Sequence, residues 1–160
     1  MDDSANRADG AVLELASFLP YRLSILANRV SATIAQDYQA RFDLTIPEWR
    51  VMAVLGMRPG LSAGEVARFT EMDKVTVSRA VARLLEAGRL VRATAADDRR
   101  RSQLRLSAAG RRIYREIVPL ALAHEARVAG ALTPEERRQL DRLIDKLLAA
   151  AAADLSAGRR

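Results

Sequence analysis

Residues 62–92, SAGEVARFTEMDKVTVSRAVARLLEAGRLVR, decide the fold of this chain. Ser62 and Glu65 have the spacing of a capping box, in which each side chain bonds the other residue's backbone N–H, and they predict the start of a short helix. After a turn, Asp73 is placed to cap a second helix, which we expect to end at Gly88. Two helices of this length joined by a short turn have the dimensions of a helix-turn-helix.

The second of these helices divides into an apolar face and a polar face. Residues spaced by three and four, which we expect to face the core or the preceding helix, are Val75, Val77, Ala80, Val81, Leu84 and Leu85. In a helix-turn-helix, the first turns of the second helix meet base edges in the major groove of DNA, where long donors reach guanine or phosphate. The residues that this arrangement predicts as DNA contacts are Lys74, Thr76, Ser78, Arg79 and Arg83.

A basic hairpin follows this helix. The stretch ADDRRRSQLRL at 96–106 ends in alternating polar and apolar residues, and with Leu90-Val91-Arg92 it predicts two strands joined by a long, charged tip. A hairpin in this position can extend sideways as a wing into the adjacent minor groove, where the phosphate field offsets the repulsion between neighbouring arginines. We predict that Arg100 enters the groove. The wing residues assigned to the DNA contact are Asp98, Arg99, Arg100 and Arg101.

The distribution of charge supports a nucleic-acid surface in this part of the chain. The 160 residues carry a net charge of +6. Residues 61–115 hold thirteen basic and six acidic residues, whereas 1–60 have a net charge of −1 and 116–160 are neutral. A general bias toward solubility would spread the excess positive charge, but a surface that binds a polyanion would concentrate it.

Longer helices flank this central region. An apolar stripe with helical spacing predicts a helix from Val12 to about Ala40, which Pro20 either kinks or divides by beginning a second segment. Capping residues predict three more helices, which begin after Thr45, Ser107 and Thr133. The stripe in the last of these and the one near Val12 would be poorly covered in a monomer, which favours a dimer.

Composition excludes several classes of site. The chain has no cysteine and one histidine, so thiolate metal sites, redox cysteines and a Ser-His-Asp triad are not expected, and we expect no cofactor and no metal. No apolar run approaches the ~20 residues that cross a bilayer, and the start of the chain is acidic and polar, unlike a signal peptide. We therefore expect a soluble cytoplasmic protein with no membrane partner.

Three stretches resemble the MarR family of winged-helix transcription regulators. Asp98-Arg99-Arg100 fits the Asp-Arg-Arg element of that family's wing, and Leu106-Ser107-Ala-Ala-Gly110 fits its Leu-Thr-x-x-Gly turn, with serine in place of threonine. The resemblance covers about residues 20–150. The stretches that carry it are LTIPEWRVMAVL, SAGEVARFTEMDKVTVSRAVARLLEAGRLVR and DDRRRSQLRLSAAGRRIY.

The resemblance implies a mainly α fold with a small β-hairpin wing, in which a winged helix-turn-helix lobe joins a helical dimerisation region. We assign the lobe to 45–110 and the dimerisation region to 11–44 and 111–153, with a disordered tail at 1–10 and a second tail at 154–160. It also implies a homodimer that reads a pseudo-palindromic operator in double-stranded DNA.

Members of the family are often repressors that small aromatic or anionic ligands release from DNA. The start of the chain also resembles regulators of aromatic-acid catabolism, some of which answer to hydroxycinnamoyl-CoA thioesters, so an aromatic acid or its CoA thioester is the expected effector. The resemblance places the pocket between the dimerisation helices and the lobe. The residues expected there are Asn28, Arg29, Trp49, Arg50 and His124.

Three other functions are alternatives to a sequence-specific regulator. A non-specific nucleoid or RNA-binding protein would use the same basic surface, although RNA readers stack bases on aromatic side chains and the basic third has only Phe69 and Tyr114. An enzyme is disfavoured, because the chain has no paired catalytic groups, nucleophile elbow or glycine loop for phosphates. The third is an interaction protein that dimerises through its end helices and binds an acidic partner.

Overall fold

The computed structural model of the protein describes residues 12–94 and 102–157. Within those ranges it contains six helices and a two-stranded antiparallel hairpin, which confirms the predicted mainly α fold. The elements are α1 (Leu19–Phe42), α2 (Ile46–Met57), α3 (Ala63–Thr70), α4 (Lys74–Glu86), β1 (Leu90–Thr94), β2 (Ser102–Leu106), α5 (Ala108–Ala129) and α6 (Pro134–Ala157). The predicted tail at 1–10 lies outside the described residues.

Side-chain caps begin five of these helices, as the sequence predicted. At α4 the carboxylate of Asp73 accepts a hydrogen bond from the backbone N–H of Thr76, and at α5 the hydroxyl of Ser107 accepts one from Gly110. Such caps satisfy backbone donors that have no partner within the helix. Reciprocal capping boxes at α2, α3 and α6 pair Thr45 with Glu48, Ser62 with Glu65 and Thr133 with Glu136.

The first helix begins later than the sequence predicted. We expected a helix from Val12, but α1 begins at Leu19 and a turn covers 15–17. Pro20 lies in the first turn of α1, where its missing N–H would have had no helical partner. Of the two roles predicted for Pro20, the structure shows the second: Pro20 begins a helix and does not kink a longer one.

The last helix continues further than expected. We placed the start of a tail at residue 154, but α6 runs to Ala157. The alanine run at 149–153 accounts for the extension, because alanine has the highest intrinsic helix propensity.

The buried core lies where α2, α3 and α4 meet the hairpin. The strands pair in register from Leu90 opposite Leu106 to Thr94 opposite Ser102. Leu61, between α2 and α3, adds an antiparallel bridge to Leu104 that the sequence did not predict. The most deeply buried apolar side chains here are Val51, Met52, Leu55, Val66, Val77, Leu84 and Leu104.

Arg89 joins the end of α1 to this core. Its guanidinium donates hydrogen bonds to the backbone carbonyls of Phe42 and Asp43, which close the carboxyl end of α1. The carbonyl of Arg89 itself accepts the N–H of Ser107. A side chain at Gly110 would collide with that carbonyl, so the first turn of α5 lies against the start of β1. Arg89 thus ties α1 to the lobe through its side chain and α5 through its backbone carbonyl.

Candidate nucleic-acid interface

Helix α4 is held at its start by a short turn and a cap. Helix α3 ends at Thr70, and Glu71 adopts a left-handed conformation with φ of 52° that turns the chain toward α4. The carboxylate of Asp73 accepts hydrogen bonds from both the backbone N–H of Thr76, at 2.8 Å, and its hydroxyl, at 2.5 Å. These bonds, the side-chain one first, lower the pKa of Asp73, so the cap is ionised at neutral pH.

One face of α4 is buried against the lobe and the other is open. The buried face comprises Val77, Ala80, Val81 and Leu84. Lys74, Ser78 and Arg79 are exposed on the first turns, as predicted for DNA contacts. Within the described part of the chain, Lys74 and Arg79 make no ion pair, so their charges are available to a partner. This is the arrangement that a recognition helix needs, with donors on the outside and packing on the inside.

Thr76 is only half-buried on this face, and its hydroxyl is already engaged. Because the hydroxyl donates its proton to Asp73, it offers DNA its lone pairs and methyl group rather than a free donor. Thr76 therefore lies on the open face of α4, but its main interaction is with the Asp73 cap.

Arg83 has a partner that the sequence did not reveal. Its Nε lies 3.1 Å from Oε1 of Glu48, a carboxylate on α2 that is 3% exposed, while the Arg83 side chain is 58% exposed. The other oxygen, Oε2, accepts the backbone N–H of Thr45 in the capping box at 2.8 Å. The pair joins α2 to α4, and the buried carboxylate depends on Arg83 for its counter-charge.

Val75 corrects the predicted division of the helix. We expected it to face the core or the preceding helix, but its side chain is 59% exposed beside Lys74 and Ser78. Its position, two residues after the cap, puts it on the open side of the first turn. Apolar periodicity misassigned it, because exposed and buried valines look alike in a sequence.

The hairpin follows α4 as a wing would. Its described strands carry the exposed arginines Arg92 and Arg105, which were not among the predicted contacts. The predicted wing-tip residues Asp98, Arg99, Arg100 and Arg101 lie outside the described residues.

The structure does not bring the five predicted ligand residues together. Trp49 and Arg50 line a cavity of about 110 Å³ between α1 and α2. Arg29 lines a separate shallow depression on the outer side of α1, and Asn28 is exposed on the same helix. His124 lies in a third place, between α1 and α5. Of the five residues, only Trp49 and Arg50 therefore line the same cavity.

The cavity between α1 and α2 combines aromatic walls with a cation. Trp49 lies between two tyrosine rings, with centroid distances of 5.8 Å to Tyr38 and 5.9 Å to Tyr114. Arg50 Nη2 lies 3.5 Å from the hydroxyl oxygen of Ser31. Burial raises the pKa of Tyr38 to about 12, although the charge of Arg50 opposes the shift, so the phenol is neutral and can donate. Ile34 and Ile46 complete the lining.

His124 joins two helices. It is buried, and its Nε2 lies 2.6 Å from a carboxylate oxygen of Asp37 on α1. Arg127 Nη2 lies 2.6 Å from Nδ1 and 3.0 Å from Nε2, so its guanidinium covers the imidazole. These contacts link α1 to α5 and leave no open ligand position on the ring.

Two classes of site are not found among the residues that the structure describes. No three histidine, cysteine, aspartate or glutamate side chains there come together in a way that could hold a metal ion. None of the described helices combines the length and apolar character needed to cross a membrane.

Comparison with known proteins matches residues 42–101, which cover most of the lobe assigned to 45–110, to the MarR family. The HTH-type transcriptional repressor Rv2887 of Mycobacterium tuberculosis is 30% identical over 128 residues, which cover 78% of this chain and 92% of that protein. The chain belongs to the MarR family. This MarR-family protein is therefore a transcriptional regulator and not an enzyme.

Solved structures support the same assignment for this MarR-family regulator. The PcaV regulator from Streptomyces coelicolor, solved with its natural ligand, aligns with a TM-score of 0.69 and 26% identity, over 89% of this chain and 99% of PcaV. The repressor CouR, solved on a 23-mer DNA duplex, aligns with a TM-score of 0.73 and 25% identity, over 84% and 95% of the two chains. The winged helix-turn-helix architecture is thus shared with regulators that were solved on DNA and with ligand.

Proposed function

We propose that the protein is a homodimeric repressor that binds a pseudo-palindromic operator in double-stranded DNA and is released by a small aromatic or anionic ligand. The observation that carries this proposal is the open face of α4, where Lys74, Ser78 and Arg79 project beside an ordered cap. The relative CouR, whose structure was solved on a DNA duplex, supports a DNA partner. In this reading α4 enters the major groove and the wing, with Arg100 at its tip, reaches the adjacent minor groove.

Selection from a random duplex library tests the proposal directly. We expect the full-length protein to enrich two half-sites related by a dyad and spaced by one helical turn, about 34 Å. Competition between the enriched duplex and random DNA at a fixed salt concentration then measures specificity, which should be at least about 1,000-fold. Equal affinity for both duplexes would support the non-specific nucleic-acid-binding alternative instead.

Exposed apolar side chains support the dimer. Helix α6 has no buried residue, and the stripe that it exposes comprises Leu140, Leu143, Ile144, Leu147 and Leu148. A second exposed set, near the start of α1, comprises Val12, Leu13, Leu15, Phe18, Leu19 and Leu23. Apolar surfaces of this kind mark association sites, and we propose that a second copy related by a two-fold axis covers both sets. Sedimentation velocity at micromolar concentration should therefore give the mass of two chains.

The cavity beside Trp49 supports a single-ring aromatic acid as the effector. Arg50 supplies a cation for a carboxylate, Ser31 and Tyr38 supply hydroxyls, and Trp49 supplies an aromatic wall. Typical ligand pockets have about 300–1,000 Å³, so a cavity of about 110 Å³ accommodates one small ring better than a whole CoA thioester. A ligand that prefers a different spacing of the two lobes lowers DNA affinity, and DNA must then lower ligand affinity by the same factor.

Calorimetric titration with benzoates, hydroxycinnamates and their CoA thioesters tests the effector. We expect single-ring carboxylates to bind, Arg50→Gln to weaken binding, and Arg29→Gln, which changes an arginine outside the cavity, to leave it unchanged. Equal losses in the two variants would remove the cavity from the proposal. Binding of the thioesters alone would require a larger site than the one described.

A further inference from the structure

We propose that Val75 reads a thymine in each half-site of the operator by packing against the 5-methyl group of the base. This inference rests on the proposed function, since it names one element of the sequence that the recognition helix selects. It would add a specificity-determining apolar contact to the charged and hydroxylic side chains that the sequence alone predicted.

The first step is the exposure of Val75. Its side chain is 59% exposed on the first turn of α4, whereas Val77 and Val81 on the same helix are 1% and 3% exposed. A β-branched residue has a lower helix propensity than alanine and here gains little from burial. Val75 is therefore an apolar group that the chain presents to the outside at the point where a recognition helix meets bases.

The second step is its neighbourhood. Ser78 and Arg79, three and four residues further on, lie on the same side of the helix, because residues at these spacings are neighbours on a helix surface. Lys74 precedes it, and the hydroxyl of Thr76 is held by Asp73. Val75 thus lies among the donors that approach the groove floor, and the cap fixes the helix end that carries it.

The third step is the chemistry of the groove. The major-groove edges of the four base pairs present hydrogen-bond donors and acceptors, and the one apolar group among them is the thymine methyl. An exposed aliphatic side chain on the inserted face is complementary to that methyl group rather than to the hydrogen-bond donors and acceptors. A valine side chain cannot form hydrogen bonds with the edge of guanine or adenine, so the contact favours thymine.

Replacement of thymine by deoxyuridine, which removes only the methyl group, tests the inference. In the duplex selected by the wild-type protein, each thymine is replaced in turn in both half-sites, and affinity is measured for the wild type and for Val75→Ala. Burial of one methyl group corresponds to about fourfold in affinity per half-site. We expect one symmetric thymine position at which the wild type loses about fourfold per half-site, or about 16-fold with both half-sites replaced, and Val75→Ala loses almost nothing.

Two controls separate this result from indirect effects. Val128→Ala removes the same atoms from an exposed valine on α5 and should leave every deoxyuridine penalty unchanged. Circular dichroism should show unaltered folding of Val75→Ala, because the site is exposed and alanine favours helix. A fresh selection with Val75→Ala should relax the preference for thymine at the same position and at no other.

The outcomes also distinguish this inference from the proposed function. One outcome of the selection is a preferred duplex in which each deoxyuridine lowers affinity equally for the wild type and for Val75→Ala. That result overturns the Val75 contact but does not contradict the proposed repressor function. If Val75→Ala lowers affinity by the same factor for every duplex, whether it carries thymine or deoxyuridine, then Val75 contacts the sugar-phosphate backbone. That result also overturns the proposed thymine contact. Failure to select any preferred duplex overturns both proposals.

Discussion

The recognition helix α4 and the last helix α6 carry similar apolar stripes, but they bury them very differently. In α4, Val77 and Leu84 are almost fully buried by the rest of the same chain. In α6, Leu143 and Leu147 remain about half exposed, and no residue of the helix is buried. The lobe thus completes its core within one chain, whereas the exposed stripe of α6 is a surface that the proposed dimer would cover.

The strongest test of this contrast places charges on the stripe of α6. Leu143→Glu combined with Leu147→Glu should yield monomers by sedimentation velocity and lower operator affinity about 100- to 10,000-fold, because two linked half-site contacts become one. Far-ultraviolet circular dichroism should still show a folded lobe. The double variant Ala149→Glu and Ala153→Glu adds the same charge on the opposite face of α6 and should remain dimeric. If both double variants behave alike, the stripe is not the interface.

Removal of the Arg83 guanidinium should weaken the lobe itself. Arg83→Ala leaves the buried carboxylate of Glu48 without its counter-charge and should lower the free energy of unfolding by about 1–3 kcal/mol. Urea denaturation measures this loss. Arg79→Ala removes an equally long side chain from the open face and should change stability by less than about 0.5 kcal/mol. Equal stability of the two variants would contradict the structural role of Arg83.

Arg79 should show the opposite behaviour on DNA. Arg79→Ala should relax discrimination at one base pair by about 1–3 kcal/mol if the guanidinium makes a bidentate contact with guanine. Affinities for a set of operators with single base-pair changes measure the effect. A loss that is the same for every sequence would reassign Arg79 to a phosphate.

The predicted wing contact should have a smaller effect. Arg100→Ala should reduce the slope of log affinity against log salt concentration by about 1, because one fewer counterion is released on binding. Titrations at several salt concentrations measure the slope. Arg142→Ala, on α6, should leave the slope unchanged. An unaltered slope in Arg100→Ala would remove the wing tip from the interface.

The smallest expected effect is the pH dependence of the α4 cap. Hydrogen bonds from Thr76 lower the pKa of Asp73 below 3.8, so the ionised carboxylate stabilises the folded state at neutral pH. That contribution is lost as the pH falls from about 3.8 through the folded-state pKa. The difference in melting temperature between the wild type and Asp73→Asn should therefore shrink as the pH falls through this range. If the difference in melting temperature stays constant over this pH range, ionisation of Asp73 does not stabilise the cap.

Local features were predictable from the sequence, and contacts between distant residues were not. The capping pairs, such as Thr45 with Glu48, lie three residues apart, so their spacing alone predicted where the helices begin. The partner of Glu48 is Arg83, on another helix, and only the packing of α2 against α4 brings the two together. The same holds for His124 and Asp37, which are 87 residues apart. The sequence showed the capping role of Glu48, but its burial, and with it the need for a counter-charge, follows only from tertiary packing.

Val75 and Leu19 illustrate a different limit. Periodicity assigns every apolar residue to a buried face, so it misplaced the exposed Val75 and extended α1 back to residue 12. In both cases an apolar side chain faces outward, where a second molecule rather than the same chain would cover it. Patterns in a single sequence do not distinguish these two kinds of contact.

The position of Trp49 between the rings of Tyr38 and Tyr114 has a practical consequence. Trp49 is the only tryptophan of the chain, and it forms one wall of the cavity proposed for the effector. Its emission spectrum therefore reports on that cavity alone, and excitation of the flanking tyrosines transfers energy to the same indole. Trp49 fluorescence can therefore follow the binding of a candidate effector without a label on the protein. The same experiment can compare this rate with the rate at which the protein dissociates from labelled DNA.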